Sequence, residues 1–236
     1  MGNDPCSPSD GPLQPHPWRL GEPPPPLPQA AVPPLLLLVH CGDPLPATER
    51  EALLASLSPE ERQRVGAYRQ PDDRQRSLVA RASLRQLLGQ WLALPPAAIP
   101  ITTSLRGKPH CPSPGAPEFN LSHSGELILL GFHSCCAVGV DVERLRQDWD
   151  WGPIARRILP AADVDALQAL PSAERASAFL AAWCAMEALL KARGEGLAGL
   201  ERLRARDCSG AIPPPERLWT VAVPGGYAAA AALHTP

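Results

Sequence analysis

No excess of either charge runs through this chain. Its 22 lysines and arginines nearly balance 24 aspartates and glutamates, leaving a net charge of −2. The broad basic field that holds nucleic acid is therefore missing. The apolar run Leu35 to Val39 is far too short to span a bilayer, and Met1-Gly2-Asn3-Asp4 lacks the basic region of a secretory signal. A myristoylation pattern at Gly2 fails because Cys6 stands where serine or threonine is needed. The seven cysteines include no C-x-x-C pair and no regular spacing. They read as reduced thiols of a cytoplasmic protein, not as a disulfide framework or zinc site. The adjacent Cys135 and Cys136 are expected on opposite faces of a strand.

With 236 residues and 44% hydrophobic content, the chain can form one large domain or two small ones. Twelve of its 31 prolines fall in residues 1–34, so this stretch is expected to be a disordered extension of polyproline character. Leu35 to Cys41 reads as a buried strand. Ser58-Pro59-Glu60-Glu61 reads as a helix start, with Ser58 as N-cap, proline at the first position and Glu61 closing a capping box. A second helix is expected over Pro71 to Trp91, with Leu78, Ala82, Leu84, Leu87 and Leu88 on its apolar stripe. Residues 101–118 are rich in glycine and proline and read as loop. Glu126 to Phe132 and Cys135 to Val142 are expected as two strands of one hairpin. Short helices follow over Trp151 to Leu159 and Ala161 to Leu170. A long helix from Pro171 to about Arg193 is stopped by Gly194 and Gly196. Two late strands, Leu218 to Val223 and Tyr227 to Leu233, flank a Pro224-Gly225-Gly226 turn. Each half runs strand, helices, strands, although no residue-level repeat is evident.

Two segments carry the chemistry. Gly139-Val140-Asp141-Val142-Glu143 places two carboxylates at i and i+2, hence on one side of a strand. Trp183 to Lys191 places Glu187 and Lys191 one helical turn apart. Acids at a strand end are often simply solvated. Here, however, Asp141 is embedded in an apolar run, and crowded like charges call for a cation or protons. Glu187 and Lys191 can form an ordinary surface ion pair, but the helix is apolar nearly all round, and buried charges need partners. Three acids and a lysine that converge would suit a hard divalent cation beside a phosphate-bearing substrate. His123 alone is a weak signal. Arg62, Arg64, Arg69, Arg74, Arg76, Arg81 and Arg85 form an arginine-rich region, of which a subset can grip phosphate.

Taken in order, five segments resemble the Sfp-type 4′-phosphopantetheinyl transferases. They are Leu57-Ser58-Pro59-Glu60, Gly107-Lys108-Pro109, Phe119-Asn120-Leu121-Ser122-His123-Ser124-Gly125, Val138 to Glu143, and Trp183 to Lys191 with Gly194-Glu195-Gly196-Leu197. The resemblance covers nearly everything after residue 35. It implies an α/β (α+β) fold of two similar subdomains related by a pseudo-two-fold, here residues 35–135 and 136–236, the second carrying the metal site. It also implies transfer of the 4′-phosphopantetheine arm of coenzyme A to a serine of an acyl or peptidyl carrier protein, releasing adenosine 3′,5′-bisphosphate. Fatty acid, polyketide and nonribosomal peptide carriers are all candidate partners, and a monomer acting away from membranes and nucleic acid is expected.

By this resemblance Asp141, Glu143 and Glu187 hold Mg²⁺, and Glu187 is also the candidate general base. Lys191 stabilises the phosphates and leaving group, and His123 bonds a pyrophosphate oxygen. Ser122 and Lys108 contact the nucleotide, while Arg62, Arg64, Arg76 and Ser77 cradle coenzyme A. Two positions depart from the family pattern: Met186 replaces the usual lysine before Glu187, and Glu61 stands where a basic residue is common. Met186 leaves one rival reading, a degenerate relative that binds coenzyme A or carrier protein without catalysis; a second rival is an interaction protein acting through the proline-rich tail.

Overall fold

The computed structural model describes residues 11–28, 33–146, 150–199 and 216–234. Its elements, in chain order, begin with β1 (His16–Pro17), β2 (Leu35–His40), α1 (Ala47–Ala55), α2 (Pro59–Gly66) and α3 (Pro71–Leu92). A small ribbon follows, β3 (Thr102–Thr103) with β4 (Pro109–His110), then β5 (Glu118–Ser124), β6 (Leu127–His133) and β7 (Ala137–Arg144). The chain continues through α4 (Gly152–Ile158), α5 (Ala161–Ala169), α6 (Ser172–Arg193), β8 (Glu216–Thr220) and β9 (Tyr227–His234).

Two larger sheets organise these elements. The first has the order β1-β2-β6-β5 and the second β7-β9-β8. Both faces of β2 and β6 are covered, which is why they read as unbroken apolar runs instead of alternating ones. Leu37, Val39, Ile128, Leu130 and Phe132 pack with Leu78, Leu84, Leu87 and Leu88 of α3. The alternate residues Leu36, Leu127 and Leu129 pack with Val140, Val142, Ala229 and Ala231 of the second sheet. Helix α6 covers the outer face of that sheet, where Cys184, Ala188 and Ala192 meet Ala230 and Ala232. At the start of α2, Ser58 accepts from the Glu61 amide and Glu61 accepts from the Ser58 amide, the capping box read from the sequence.

Three expectations give way. The runs on either side of His133 do not form a hairpin: β6 pairs with β2 and β5, while β7 pairs along its whole length with β9, from Ala137 opposite His234 to Arg144 opposite Tyr227. The turn between them redirects the chain. His133 Nδ1 accepts from the amides of both Cys135 (3.2 Å) and Cys136 (2.9 Å), fixing a bend that hands the chain from the first sheet to the second. Accordingly, Cys135 and Cys136 sit in this bend and not on opposite faces of a strand, with their sulfurs 3.8 Å apart. The proline-rich segment is not loose over 11–28. Trp18 is only 3% exposed within the first core, β1 runs parallel to β2, and Trp91 Nε1 donates to the Pro25 carbonyl (3.2 Å). Leu13 reaches the second sheet, exchanging backbone bonds with Thr220 and Ala222. Residues 1–10 and 29–32 of that expected tail lie outside the described residues. Helix α1, lacking any side-chain N-cap, had no sequence signal strong enough to announce it.

Candidate active site

Strands β5 and β7 are each the outer strand of their own sheet, and they lie side by side. Side chains span the gap where a backbone ladder would normally stand. Asn120 Oδ1 accepts from the Val140 amide (3.0 Å), Ser122 Oγ donates to Asp141 Oδ1 (2.8 Å), and Ser124 Oγ donates to Glu143 Oε2 (2.6 Å). Ser124 Oγ also accepts from the Arg144 amide (3.1 Å). The period of two along β5 aims all three polar residues at β7.

Helix α6 closes the site from the other side. A Cβ on Gly139 would lie 2.0 Å from the Ala188 carbonyl oxygen and 2.3 Å from the Ala192 nitrogen. Only glycine lets β7 and α6 touch backbone to backbone. This contact sets Lys191 over Asp141, with Nζ 2.6 Å from Oδ1 and 3.3 Å from Ser122 Oγ. Asp141 is 2% exposed, and its second oxygen, Oδ2, is buried with no hydrogen-bond partner.

Charge is crowded here. Burial raises the carboxyl of Glu187 above the ordinary range; the Lys191 ammonium opposes the rise, while Asp141 and Glu143 add to it. Burial likewise raises Glu143, partly offset by its bond from Ser124, and Asp141 again adds to the rise. Burial and Asp141 hold the neighbouring Cys184 thiol in its neutral form. His123 projects the other way and is lowered by burial, so the neutral imidazole is favoured.

His123 lies where two cavities meet. One, of about 390 Å³, is also lined by Arg64, Ser77, Arg81 and Arg85. The other, of about 640 Å³, is lined by Arg76, Ser124, Glu143, Arg144 and Arg146. Arg76 is anchored by a 2.6 Å bond from Nη1 to the Gly125 carbonyl and by an ion pair with Asp73. Arg64 and Ser77 line the first cavity. Arg62 is exposed and lines neither, its Nε donating to the Leu57 carbonyl (3.3 Å). Lys108 is turned elsewhere: its ammonium donates to the carbonyls of Val138 and Ala192, both at 3.0 Å. It ties the β3–β4 ribbon to β7 and the end of α6. Glu61 is held by Arg85 (2.5 Å) with Arg81 at 3.7 Å, so the acid at this departure is neutralised beneath the first cavity.

Met186 points away from the charged cluster. It is 8% exposed and packs with Ile158, Leu159, Leu167, Phe179 and Leu190 among α4, α5 and α6. The missing lysine therefore leaves no gap beside Lys191. Sequence reasoning gave no role to Asn120, Ser124, Arg144 or Arg146. The alternation Asn120-x-Ser122-x-Ser124 was the available signal for the first two; the arginines carried none.

A hard cation fits this donor set. The acids offer only oxygen, which magnesium prefers, and the buried Asp141 Oδ2 lacks a hydrogen-bond partner. Among the described residues, the one group of three His, Cys, Asp or Glu ligand atoms within 4.8 Å of one another is His133, Cys135 and Cys136. The oxygens of Asp141, Glu143 and Glu187 are spaced more widely than that. The imidazole Nδ1 of the other group is already committed to two amides.

Two α/β layers meet at a charged seam beside arginine-lined cavities. Comparison with known proteins is specific. Residues 44–134 match the family model described as 4′-phosphopantetheinyl transferase, N-terminal, and residues 137–219 match the 4′-phosphopantetheinyl transferase superfamily. The chain is 33% identical over 161 residues to 4′-phosphopantetheinyl transferase HetI of Nostoc sp., covering 67% of this chain and 68% of the relative. It is 36% identical over 197 residues to a phosphopantetheinyl transferase of Thraustochytrium sp., covering 74% of this chain and 65% of the relative. Sfp of Bacillus subtilis is 27% identical over 163 residues, covering 67% and 70%. The chain thus spans about two thirds of the length of these relatives, and it belongs to the 4′-phosphopantetheinyl transferase family.

Proposed function

We propose that this chain transfers the 4′-phosphopantetheine arm of coenzyme A to a serine hydroxyl of an acyl or peptidyl carrier protein. The observation that carries the reading is the meeting of Asp141, Glu143 and Lys191 at the β5–β7 seam, with Glu187 of α6 in electrostatic reach of all three, next to cavities lined by Arg64, Ser77, Arg76 and His123. Asp141, Glu143 and Glu187 would hold Mg²⁺, which would neutralise charge developing on the pyrophosphate. Glu187, with its carboxyl raised by burial, is suited to take the proton of the carrier serine. The serine oxygen forms a bond to the phosphorus of the phosphopantetheine arm, and the bond from that phosphorus to the bridging oxygen breaks. The electron pair leaves with adenosine 3′,5′-bisphosphate. Lys191 stabilises that leaving charge, and His123, neutral and between the two cavities, hydrogen-bonds a pyrophosphate oxygen. Arg64, Arg76 and Ser77 orient the nucleotide end; Arg62 and Lys108 would take part only by leaving their present carbonyl partners.

The reading includes a monomer acting in the cytoplasm, without nucleic acid or membrane. Among the described residues, no helix is long and apolar enough to cross a bilayer. The degenerate-binder alternative rested on Met186, and that side chain belongs to the core of the second half.

The test is the intact mass of apo carrier proteins of several classes after incubation with this chain, coenzyme A and Mg²⁺, with and without EDTA. A gain of one phosphopantetheine, lost with chelator, is expected. Asp141→Asn should lower the rate on the order of 10²–10³-fold with its circular dichroism unchanged. No gain on any carrier overturns the assignment.

A further inference from the structure

The geometry points to Ser124 and Ser122 as positioning residues that orient the carboxylates of Glu143 and Asp141 for the metal. This inference rests on the reading above. A carboxylate at a metal site is useful only when its oxygens are held in place, and the hydrogen bonds behind it do the holding. Here both supports come from one strand at alternate positions. Ser124 Oγ donates to Glu143 Oε2 at 2.6 Å and is itself pinned by the Arg144 amide at 3.1 Å, one residue beyond the acid it orients. Ser122 Oγ donates to Asp141 Oδ1 at 2.8 Å and is met by Lys191 at 3.3 Å. Each hydroxyl engages a single oxygen of its acid. The other oxygen of Asp141 is left buried without a hydrogen-bond partner.

The same strand supplies Asn120, whose side-chain carbonyl takes the Val140 amide that an ordinary neighbouring strand would have satisfied. The three rungs climb β5 and β7 in the same direction. They form a side-chain seam between two sheets that share no backbone ladder across it. Seam and site are therefore one structure: the rungs that join the halves also set the orientation of the acids. Ser124 is half-buried against Glu143 and its hydroxyl has no other described partner, so its role can be tested without emptying a core position.

Mn²⁺ binding to the whole protein, read by electron paramagnetic resonance without coenzyme A or carrier, is the direct test. Ser124→Ala should weaken Mn²⁺ about tenfold, raise the Mg²⁺ concentration for half-maximal transfer by a similar factor, and leave kcat at saturating Mg²⁺ within about twofold. Ser124→Thr, which restores a hydroxyl, should recover most of the affinity. Ser122→Ala should weaken Mn²⁺ in the same sense, with a thermal melt confirming that the variant is folded. Wild-type Mn²⁺ affinity in a folded Ser124→Ala protein overturns the inference while leaving metal-dependent transfer standing. A fall in kcat that saturating Mg²⁺ does not recover also overturns it, since the serine would then act on substrate. Absence of Mn²⁺ binding by the wild-type protein would overturn both this inference and the metal-dependent reading beneath it.

Discussion

At the scale of single residues, the site separates side chains by direction more than by type. Met186 and Glu187 are neighbours in sequence, yet one enters the core of the second half and the other enters the charged cluster. A lysine at position 186 would have to place its ammonium among Ile158, Phe179 and Leu190. Met186→Lys should therefore cost about 3 kcal/mol, read as a thermal midpoint lowered by about 10 °C; an unchanged midpoint would show that the side chain escapes to solvent. Sequence reasoning viewed this position as a cation missing from the phosphates, because linear adjacency carries no direction. His123 gives a different kind of prediction. Its folded-state pKa is depressed, by burial first and then by the positive charges of Arg76, Lys191 and Arg81. The unfolded chain then binds the proton more readily, so stability is full above the ordinary histidine pKa of about 6.5 and declines as pH falls below it. Comparing urea melts between pH 7.5 and 5.5, His123→Asn should show a shallower decline than wild type; an identical slope would remove His123 as its source.

At the scale of elements, the contact of β7 with α6 decides whether a site exists. Gly139→Ala would force the two backbones apart at Ala188 and Ala192, where neither is a flexible side chain that can give way. A loss of about 3 kcal/mol or more is expected, and any protein that does fold should show a larger loss in transfer than its stability explains, because Asp141 and Lys191 no longer meet. Much of this level was legible in advance. The long helices α3 and α6 announced themselves through Pro71, the apolar stripe at Leu78, Leu84 and Leu88, and the Gly194 stop. The Asp141–Glu143 spacing and the Glu187–Lys191 turn pointed to β7 and α6, which the structure packs against each other with Lys191 on Asp141. Strand partnership was not legible: a short turn between two apolar runs is the usual mark of a hairpin, and nothing local says that β7 will choose β9. That choice is made by distant residues, including Ala228, Ala230 and Ala232, whose small side chains admit α6. The placement of Lys108 was not legible for a related reason. Its glycine and proline neighbours signal an exposed loop, whereas its ammonium reaches across to β7 and α6.

At the scale of the whole molecule, the segment 11–28 fastens onto both halves. Leu13 joins the second sheet, Trp18 fills the core of the first, and the carbonyl of Pro25 receives Trp91. Trp18→Ala should cost about 3–5 kcal/mol, measurable by denaturant melt, and a cost below 1 kcal/mol would mean that the strap is decorative. The strap also has a consequence in time. Leu13 bonds Thr220 and Ala222, so during synthesis it waits for partners that lie far downstream in the sequence. Contacts of such long sequence separation slow folding and leave early-formed surface exposed while the downstream strands are made. During synthesis the β8 edge has yet to appear, so the strap's Leu13 end has no place to dock. The arrival of β8 and β9 then seats β7 and its acids and gives Leu13 its edge in one event, so that the site and the strap are set together.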